Sequence, residues 1–159
     1  PAYHALLGRI IFAHGGTLEH FAGDGIMIFF NDPVPMERPV HAAARMALTM
    51  QEAFVPLAEG WRRRGFELGL GIGIATGYAT LGAIGFEGRW DYACIGSVTN
   101  LAARLCGEAK AGEILLERKA LARLEGSART QAAGELTLKG FAKPVPALRL
   151  LALEPAPKA

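Results

Sequence analysis

Several polar residues of the sequence are of types that could bind a metal ion or a phosphate, and Asp24 is the first along the chain. It lies between Gly23 and Gly25, where its carboxylate is sterically open. A hard cation such as Mg²⁺ prefers carboxylate oxygens of this kind. An aspartate also favours a tight turn without any ligand, because its side chain can hydrogen-bond to the backbone two residues on. The local pattern therefore leaves a metal site and a structural turn as alternatives.

A second candidate is the pair Asn100 and Arg104. Side chains four residues apart share one face of a helix, and this face lies away from the apolar positions Val98, Leu101 and Leu105. An amide beside a guanidinium can hold a ribose oxygen and a phosphate. An ordinary solvated helix face would show the same residues, so the pair by itself leaves both interpretations open.

Lys139 is the third candidate, because it precedes Gly140 at the end of a predicted strand, where its ammonium group could reach a phosphate. A surface lysine with no ligand is the alternative. Two other kinds of site are not indicated by the sequence. The four histidines lack the spacing of zinc ligands, and neither a Gly-x-Ser-x-Gly elbow nor a phosphate-binding P-loop sequence occurs.

The elements that must position these residues are predicted from the period of the apolar residues. We expect helices over residues 1–14, 38–61, 97–109 and 119–124, with Pro56 kinking or ending the second. We expect strands over residues 17–22, 26–30, 66–84, 90–95, 113–116, 135–138 and 147–153, the first two forming a tight hairpin around Asp24. This order predicts an α+β fold with a mixed, largely antiparallel sheet. It becomes a ferredoxin-like βαββαβ arrangement if one strand and a helix precede residue 1.

Two shorter patterns bear on the surfaces of these elements. Gly69, Gly71 and Gly73 leave one face of a predicted strand without side chains, so another backbone or a ligand could approach it closely. Residues 62–64, all arginine, precede Gly65. This is typical of a helix carboxyl end, where basic residues complement the helix dipole; a phosphate or partner site is the alternative.

Composition excludes several classes of protein. With 159 residues, 51% of them hydrophobic and 20% charged, the chain can bury a core as one domain over residues 1–154, followed by a flexible tail over 155–159. A net charge of +2 disfavours a nucleic-acid binder. No apolar run approaches the ~20 residues of a membrane span, and the amino terminus has no signal-peptide pattern. Two cysteines, Cys94 and Cys106, suit a reducing cytosol, so we expect a cytoplasmic protein.

Several blocks of sequence, taken in their order and spacing, resemble the catalytic domain of class III adenylate and guanylate cyclases. They are residues 15–17, 21–27, 71–77 and 92–105, with the last the most specific, and Leu138-Lys139-Gly140 with Pro144. The resemblance extends over nearly the whole chain and is strongest to stand-alone homodimeric bacterial enzymes. It implies that the family's first strand, which carries the first metal aspartate, should lie upstream of residue 1. Because that strand is absent from the sequence, we expect this chain alone to be inactive.

The resemblance also implies what each candidate residue does. In this family the ribose 3′-hydroxyl attacks the α-phosphate with the help of two Mg²⁺ or Mn²⁺ ions, and pyrophosphate leaves. Asp24 would be the second metal carboxylate, Asn100 would orient the ribose, and Arg104 would stabilise charge on the α-phosphate. Lys139 would bind the terminal phosphates. Each site forms between two chains, so we expect a homodimer with two sites, aided by the arm over residues 86–90.

Recognition of the base is where this chain departs from the family. Adenylate cyclases of the family usually have lysine four residues before Asp24 and aspartate or threonine three before Gly96, whereas this chain has His20 and Ala93. The glutamate and cysteine pair of guanylate cyclases does not occur in register, since Cys94 sits one residue late. An imidazole can still donate to an adenine ring nitrogen, so we favour ATP over GTP.

The leading hypothesis is therefore a bacterial adenylate cyclase domain that makes cyclic AMP for signal transduction, with room for an upstream regulatory domain. A guanylate cyclase is one alternative, and a catalytically inactive cyclase-like module that binds nucleotide or dimerises is another. A diguanylate cyclase is disfavoured, because Gly23-Asp24-Gly25 is not part of a Gly-Gly-Asp/Glu-Glu-Phe hairpin. ATP and a second copy of the chain are the expected partners.

Overall fold

The computed structural model describes residues 2–22, 25–31, 34–66, 69–77, 80–86, 89–95, 97–124 and 126–154. Helices and strands follow one another along these residues in an order close to the predicted one. They are α1 (Ala2–Ala13), β1 (Thr17–Ala22), β2 (Gly25–Phe29), α2 (Pro39–Arg63), β3 (Ile72–Ile74), β4 (Thr80–Phe86), β5 (Arg89–Ile95), α3 (Ser97–Glu108), β6 (Ile114–Glu117), α4 (Arg118–Arg123), β7 (Ala128–Leu136) and β8 (Val145–Leu153).

The strands form one four-stranded sheet and two hairpins. The order of the larger sheet is β3-β6-β8-β7, in which β3 and β6 are parallel and the other neighbours are antiparallel. The hairpins are β1-β2 and β4-β5, both antiparallel. The prediction of an α+β fold with a mixed, largely antiparallel sheet is confirmed. No helix among the described residues is both long and apolar enough to cross a membrane.

Strand β6 lies at the centre of the molecule, and all four of its residues are buried. Ile114 and Leu116 point to one face of the sheet, where they join a core cluster with α2 and α4. Leu115 points to the other face and packs with Leu105 of α3. Because successive side chains of a strand alternate between faces, one short apolar strand connects both layers of helices.

Among the described elements, helix α2 contributes more buried side chains to the core than any other. Its buried residues include Val40, Ala44, Ala47 and Phe54, whose spacing places them on one face of the helix. Of the two alternatives predicted for Pro56, an end of the helix is wrong, since α2 continues to Arg63. Pro56 is exposed, so water can bond the backbone carbonyl that the proline ring deprives of its intrahelical partner.

The beginning of β6 is held by side-chain hydrogen bonds at Glu113. One carboxylate oxygen accepts a hydrogen bond from the Lys110 backbone N–H at 2.8 Å, and the other accepts one from Arg149 Nε at 2.5 Å. The Lys110 N–H and then the Arg149 guanidinium lower the pKa of Glu113, because both favour the ionised carboxylate. Arg149 lies on β8, so this contact fixes β8 beside β6.

The other end of β6 is capped by a buried carboxylate. Glu117 is only 6% exposed, and its two oxygens accept the backbone N–H groups of Lys119 and Ala120 at 2.8 and 2.9 Å. These are two of the amide groups that a helix leaves without intrahelical partners at its start. Glu117 is therefore both the last residue of β6 and the N-cap of α4.

Along the glycine-rich segment before and within β3, the backbone lies directly against the backbone of α3 and of Ala109. A Cβ at Gly73 would lie 2.5 Å from the Ala102 carbonyl oxygen, and one at Gly71 would lie 2.7 Å from the Ala109 carbonyl oxygen. Ala102 belongs to α3, and Ala109 follows it directly. Of the two predicted reasons for the bare face, a neighbouring backbone is the one observed, and α3 is that neighbour.

The predicted strand over residues 66–84 is shorter than expected and is divided in two. Only Ile72–Ile74 and Thr80–Phe86 are strands, and residues 67–68 and 78–79 lie outside the described residues. The Leu70 carbonyl explains the late start of β3: it accepts hydrogen bonds from the Gly112 N–H at 2.9 Å and from Gln51 Nε2 at 2.7 Å. A carbonyl used by a loop and a helix side chain does not join a strand ladder.

The predicted strand over residues 135–138 is also displaced. β7 covers Ala128–Leu136 and pairs with β8 along its length. None of its residues is fully buried, and it is an edge strand of its sheet. A strand with one face in water has few apolar residues, so apolar periodicity identified only its last residues.

We expect Gly73→Ala to destabilise the protein by about 1–3 kcal/mol, because the added methyl group overlaps the α3 backbone, which cannot move without displacing the helix. Gly107→Ala is the matched control: Gly107 lies on α3 itself, and a Cβ there meets nothing within 4 Å. That change should stabilise the protein by about 0.5–1 kcal/mol. Urea denaturation of both variants measures the difference, and equal stabilities would contradict the close approach.

Candidate functional site

Helix α3 presents the predicted pair Asn100 and Arg104 to solvent. Both residues are exposed, while Leu105 is fully buried against the sheet. Val98 and Leu101 are half-buried beside it. The prediction that the polar pair lies away from the apolar stripe of this helix is therefore confirmed.

The direction of α3 is set by its contacts along the glycine-rich strand. Gly77 lies against Val98 at the start of the helix, and Gly71 lies against Ala109 just after its end. The helix therefore runs antiparallel to β3. As a result, Asn100 in the first turn lies towards the carboxyl end of β3, whereas Arg104 lies level with Gly73.

Lys139 lies in a turn rather than at the end of a strand, since β7 ends at Leu136. Gly140 has a φ of +90°, which glycine adopts more readily than other residues, and the Phe141 N–H donates to the Leu138 carbonyl at 3.1 Å. Leu138 is only 3% exposed and packs in one cluster with Leu105 of α3. This buried leucine fixes the Lys139 turn on the same face of the sheet as α3.

The candidate cations are free of carboxylate partners within the part of the chain that the structure describes. The ion pair recorded there joins Arg149 to Glu113, and neither Arg104 nor Lys139 takes part in one. Both residues are exposed. Their charges are therefore available to an anion, and no internal pair has to be broken before an anion binds.

Three of the predicted site residues cannot be placed by their side chains. Asp24 lies outside the described residues, and only the backbone of His20 and Ala93 is described. The strands on either side of Asp24 form the predicted antiparallel hairpin, with Ala22 opposite Gly25. Within the described ranges, no group of three or more His, Cys, Asp or Glu side chains could hold a metal ion.

Cys106, to which the sequence assigned no role in the fold, makes a hydrogen bond beside the site. The Cys106 sulfhydryl donates to the Gly71 carbonyl at 3.4 Å, so this side chain links α3 to the segment before β3. Burial raises the pKa of the Cys106 thiol, which favours the protonated donor. No sequence motif indicates this contact, because it joins residues 35 positions apart.

The comparisons with known proteins all indicate the same family. The family model of the adenylate and guanylate cyclase catalytic domain matches residues 10–149. Adenylate cyclase 1 of Rhizobium meliloti is 34% identical over 106 residues, covering 66% of this chain and 16% of that protein. An adenylate cyclase of Anabaena cylindrica is 32% identical over 113 residues, covering 68% of this chain and 22% of that protein. The chain thus spans less than a quarter of either relative.

Two solved structures are also similar in fold. The adenylyl cyclase CyaB from P. aeruginosa superposes with a TM-score of 0.84 at 32% identity, covering 95% of this chain and 79% of that chain. The guanylyl cyclase Cya2 superposes with a TM-score of 0.88 at 27% identity, covering 97% of this chain and 79% of that chain.

We expect Arg104→Ala and Lys139→Ala to change the free energy of unfolding by no more than about 0.5 kcal/mol, because exposed side chains without partners add little stability. Leu138→Ala, next to Lys139, should cost about 2–5 kcal/mol through the cavity it leaves. Chemical denaturation of the three variants gives the comparison. A loss at Lys139 as large as that at Leu138 would assign Lys139 a structural role.

Proposed function

Because the chain belongs to the adenylate and guanylate cyclase catalytic domain family, we propose that its residues 1–154 belong to the catalytic domain of an adenylate cyclase. The reaction is the conversion of ATP to cyclic AMP and pyrophosphate at the interface of two chains. The observation that supports this most directly is the pair of exposed cations, Arg104 and Lys139, which have no ion-pair partner among the described residues and lie on elements packed through a single cluster on one face of the sheet.

The chemistry is an intramolecular phosphoryl transfer. The ribose 3′-oxygen attacks the α-phosphorus and forms the new P–O bond, while the hydroxyl proton is lost. The bond from the α-phosphorus to the oxygen that bridges to the β-phosphate breaks, and pyrophosphate leaves with the electron pair. Charge builds up on the phosphoryl oxygens during this step, so fixed positive groups aimed at them lower the barrier.

Each described residue has a part in that step that suits its side chain. The Arg104 guanidinium donates to the oxygens of the α-phosphate, where its planar fork can form two hydrogen bonds at once. The Asn100 amide, one helical turn earlier, bonds a ribose oxygen and holds the attacking hydroxyl in line. The Lys139 ammonium binds the terminal phosphates, and its turn is held by buried Leu138.

A divalent cation, Mg²⁺ or Mn²⁺, is the expected cofactor, with two ions in the family manner. Asp24, which lies between two glycines in the sequence, is the proposed ligand in this chain, since hard cations prefer carboxylate oxygens. When bound, such ions polarise the phosphoryl oxygens and neutralise charge on the pyrophosphate. The roles given above to Asn100, Arg104 and Lys139 need no contact with the metal.

ATP is favoured over GTP by the relatives. Two curated relatives above 30% identity and one solved structure at 32% identity are named as adenylate or adenylyl cyclases. A guanylate cyclase is the second candidate, because the guanylyl cyclase Cya2 superposes at least as well. His20 and Ala93, at the positions to which the family resemblance assigns base recognition, match the usual pair of neither adenylate nor guanylate cyclases. Parallel assays of ATP and GTP turnover are therefore the direct comparison.

We expect Arg104→Ala in the complete protein to lower kcat for cyclic AMP formation by about 10²–10³-fold, since it removes a donor that acts on transition-state charge. Arg123→Ala is the matched control, because Arg123 is also an exposed helical arginine but lies on α4. It should leave kcat unchanged. Assays with Mg²⁺ and Mn²⁺ measure both variants, and an unchanged rate for Arg104→Ala would reject the proposed role.

The family resemblance implies that each site takes Asp24 from one chain and Asn100, Arg104 and Lys139 from the other, and variants of the complete protein test this arrangement. Asp24→Ala and Arg104→Ala should each be inactive, but a mixed dimer of the two has one site with both residues intact. Co-expression in equal amounts should then restore about a quarter of the normal activity, since half of the dimers are mixed and each has one working site. Asn100→Ala co-expressed with Arg104→Ala should restore nothing. No recovery with Asp24→Ala would indicate sites within single chains.

A further inference from the structure

The carboxyl end of α2 combines three arginines with two aromatic rings. Residues 62–64 are arginine, flanked by Trp61 and Phe66. The Phe66 N–H donates to the Trp61 carbonyl at 3.0 Å, and the Gly65 N–H donates to the Arg62 carbonyl at 2.9 Å. With Gly65 at a φ of +88°, this is the Schellman arrangement of a helix end. The backbone of the last turn is therefore capped without help from the arginine side chains.

The arginine side chains are therefore not needed to cap the helix. Within the described chain, the guanidinium groups of Arg62 and Arg63 take part in no ion pair or hydrogen bond. Both are exposed and line a surface depression together with Glu59. Arg64 lies 5.9 Å from the centre of the Trp61 ring, close enough for a cation–π contact. Residues 59–67 contain these three arginines and two glutamates, Glu59 and Glu67, so the segment carries a net charge of +1.

The two rings are unusually exposed for their size. Trp61 is 37% and Phe66 is 59% exposed, and they meet edge to face with centroids 5.7 Å apart. The Schellman arrangement accounts for their contact with each other, but not for leaving both rings in water. Exposed aromatic rings beside arginines are typical of segments that lie in the interfacial region of a bilayer.

This corner lies away from the candidate nucleotide site. From Phe66 the chain leads through Gly71 to the amino end of β3, whereas Asn100 lies beside the carboxyl end of that strand. Ala109 packs against Gly71, and Asn100 lies nine residues earlier along α3, which corresponds to about 14 Å of helix. The α2 end therefore connects to the amino end of β3, and Asn100 lies towards its carboxyl end.

We propose that the end of α2, residues 61–66, binds an anionic lipid surface. The guanidinium groups contact lipid phosphates, and the Trp61 and Phe66 rings enter the interfacial layer. Nucleic acid is less favoured, because binding by stacking needs an open ring face, whereas Arg64 lies over Trp61 and Phe66 abuts it. A broad charged surface can accept three adjacent arginines and two ring edges at once. The inference is independent of the proposed cyclase activity.

The test is sedimentation of the purified protein with phosphatidylcholine vesicles, with and without phosphatidylglycerol. We expect binding only to the anionic vesicles, weaker at high salt, with a blue shift of tryptophan emission that is absent in Trp61→Phe. Replacing arginines 62–64 with glutamine should weaken binding about 100-fold, since each basic residue near an anionic surface contributes comparably. Phe66→Ser, which keeps all three charges, should weaken it about 10-fold.

The matched control removes three charges from α4. Arg118, Lys119 and Arg123 are also exposed, so their replacement by glutamine changes the net charge equally, and vesicle binding should persist. An equal loss in both triple variants would overturn the proposal, since net charge alone would then explain binding. The proposal also fails if vesicles do not bind while a single-stranded oligonucleotide or an acidic peptide binds through arginines 62–64. Phe66→Ser provides the decisive measurement if the triple variant does not fold.

Discussion

The described fold depends on how closely α3 approaches the glycine-rich segment that ends in β3. At Gly73 the backbone of α3 occupies the space where any other residue would place its Cβ. Close packing of this kind allows little adjustment, because the interior has no free volume into which a displaced helix could move. The hydrogen bond from Cys106 to Gly71 and the burial of Leu105 hold the helix in the same place from its own side.

That contact has consequences for the polar residues of α3. A helix held by its apolar stripe has its opposite face fixed as well, so the directions of Asn100 and Arg104 follow from contacts in which neither takes part. Lys139 depends on the same layer through a different residue, since Leu138 packs in the cluster of Leu105. The candidate cations are thus positioned by buried leucines and glycines that have no chemistry of their own.

The charged groups of the described chain fall into two kinds. Glu113 with Arg149, and Glu117 with the start of α4, have their hydrogen bonds satisfied inside the protein and hold the two ends of β6. Arg104, Lys139 and the arginines at the end of α2 have no such partners among the described residues. Satisfied groups stabilise the fold, whereas exposed cations add little stability. We therefore expect an anionic ligand to bind to charged groups of the second kind.

The sequence by itself determined the order and type of most elements, because apolar periodicity and glycine placement are local properties that a single chain displays directly. It also determined the polar face of α3, since residues four apart share a face in any helix. The order and spacing of its blocks indicated the cyclase family. Only the tertiary structure decided that the glycine face meets α3 rather than a ligand, that β3 begins at Ile72, and that Lys139 sits in a turn anchored by Leu138. Each of these depends on a contact between residues far apart in the chain, and no local pattern records which distant backbone will fill a given space.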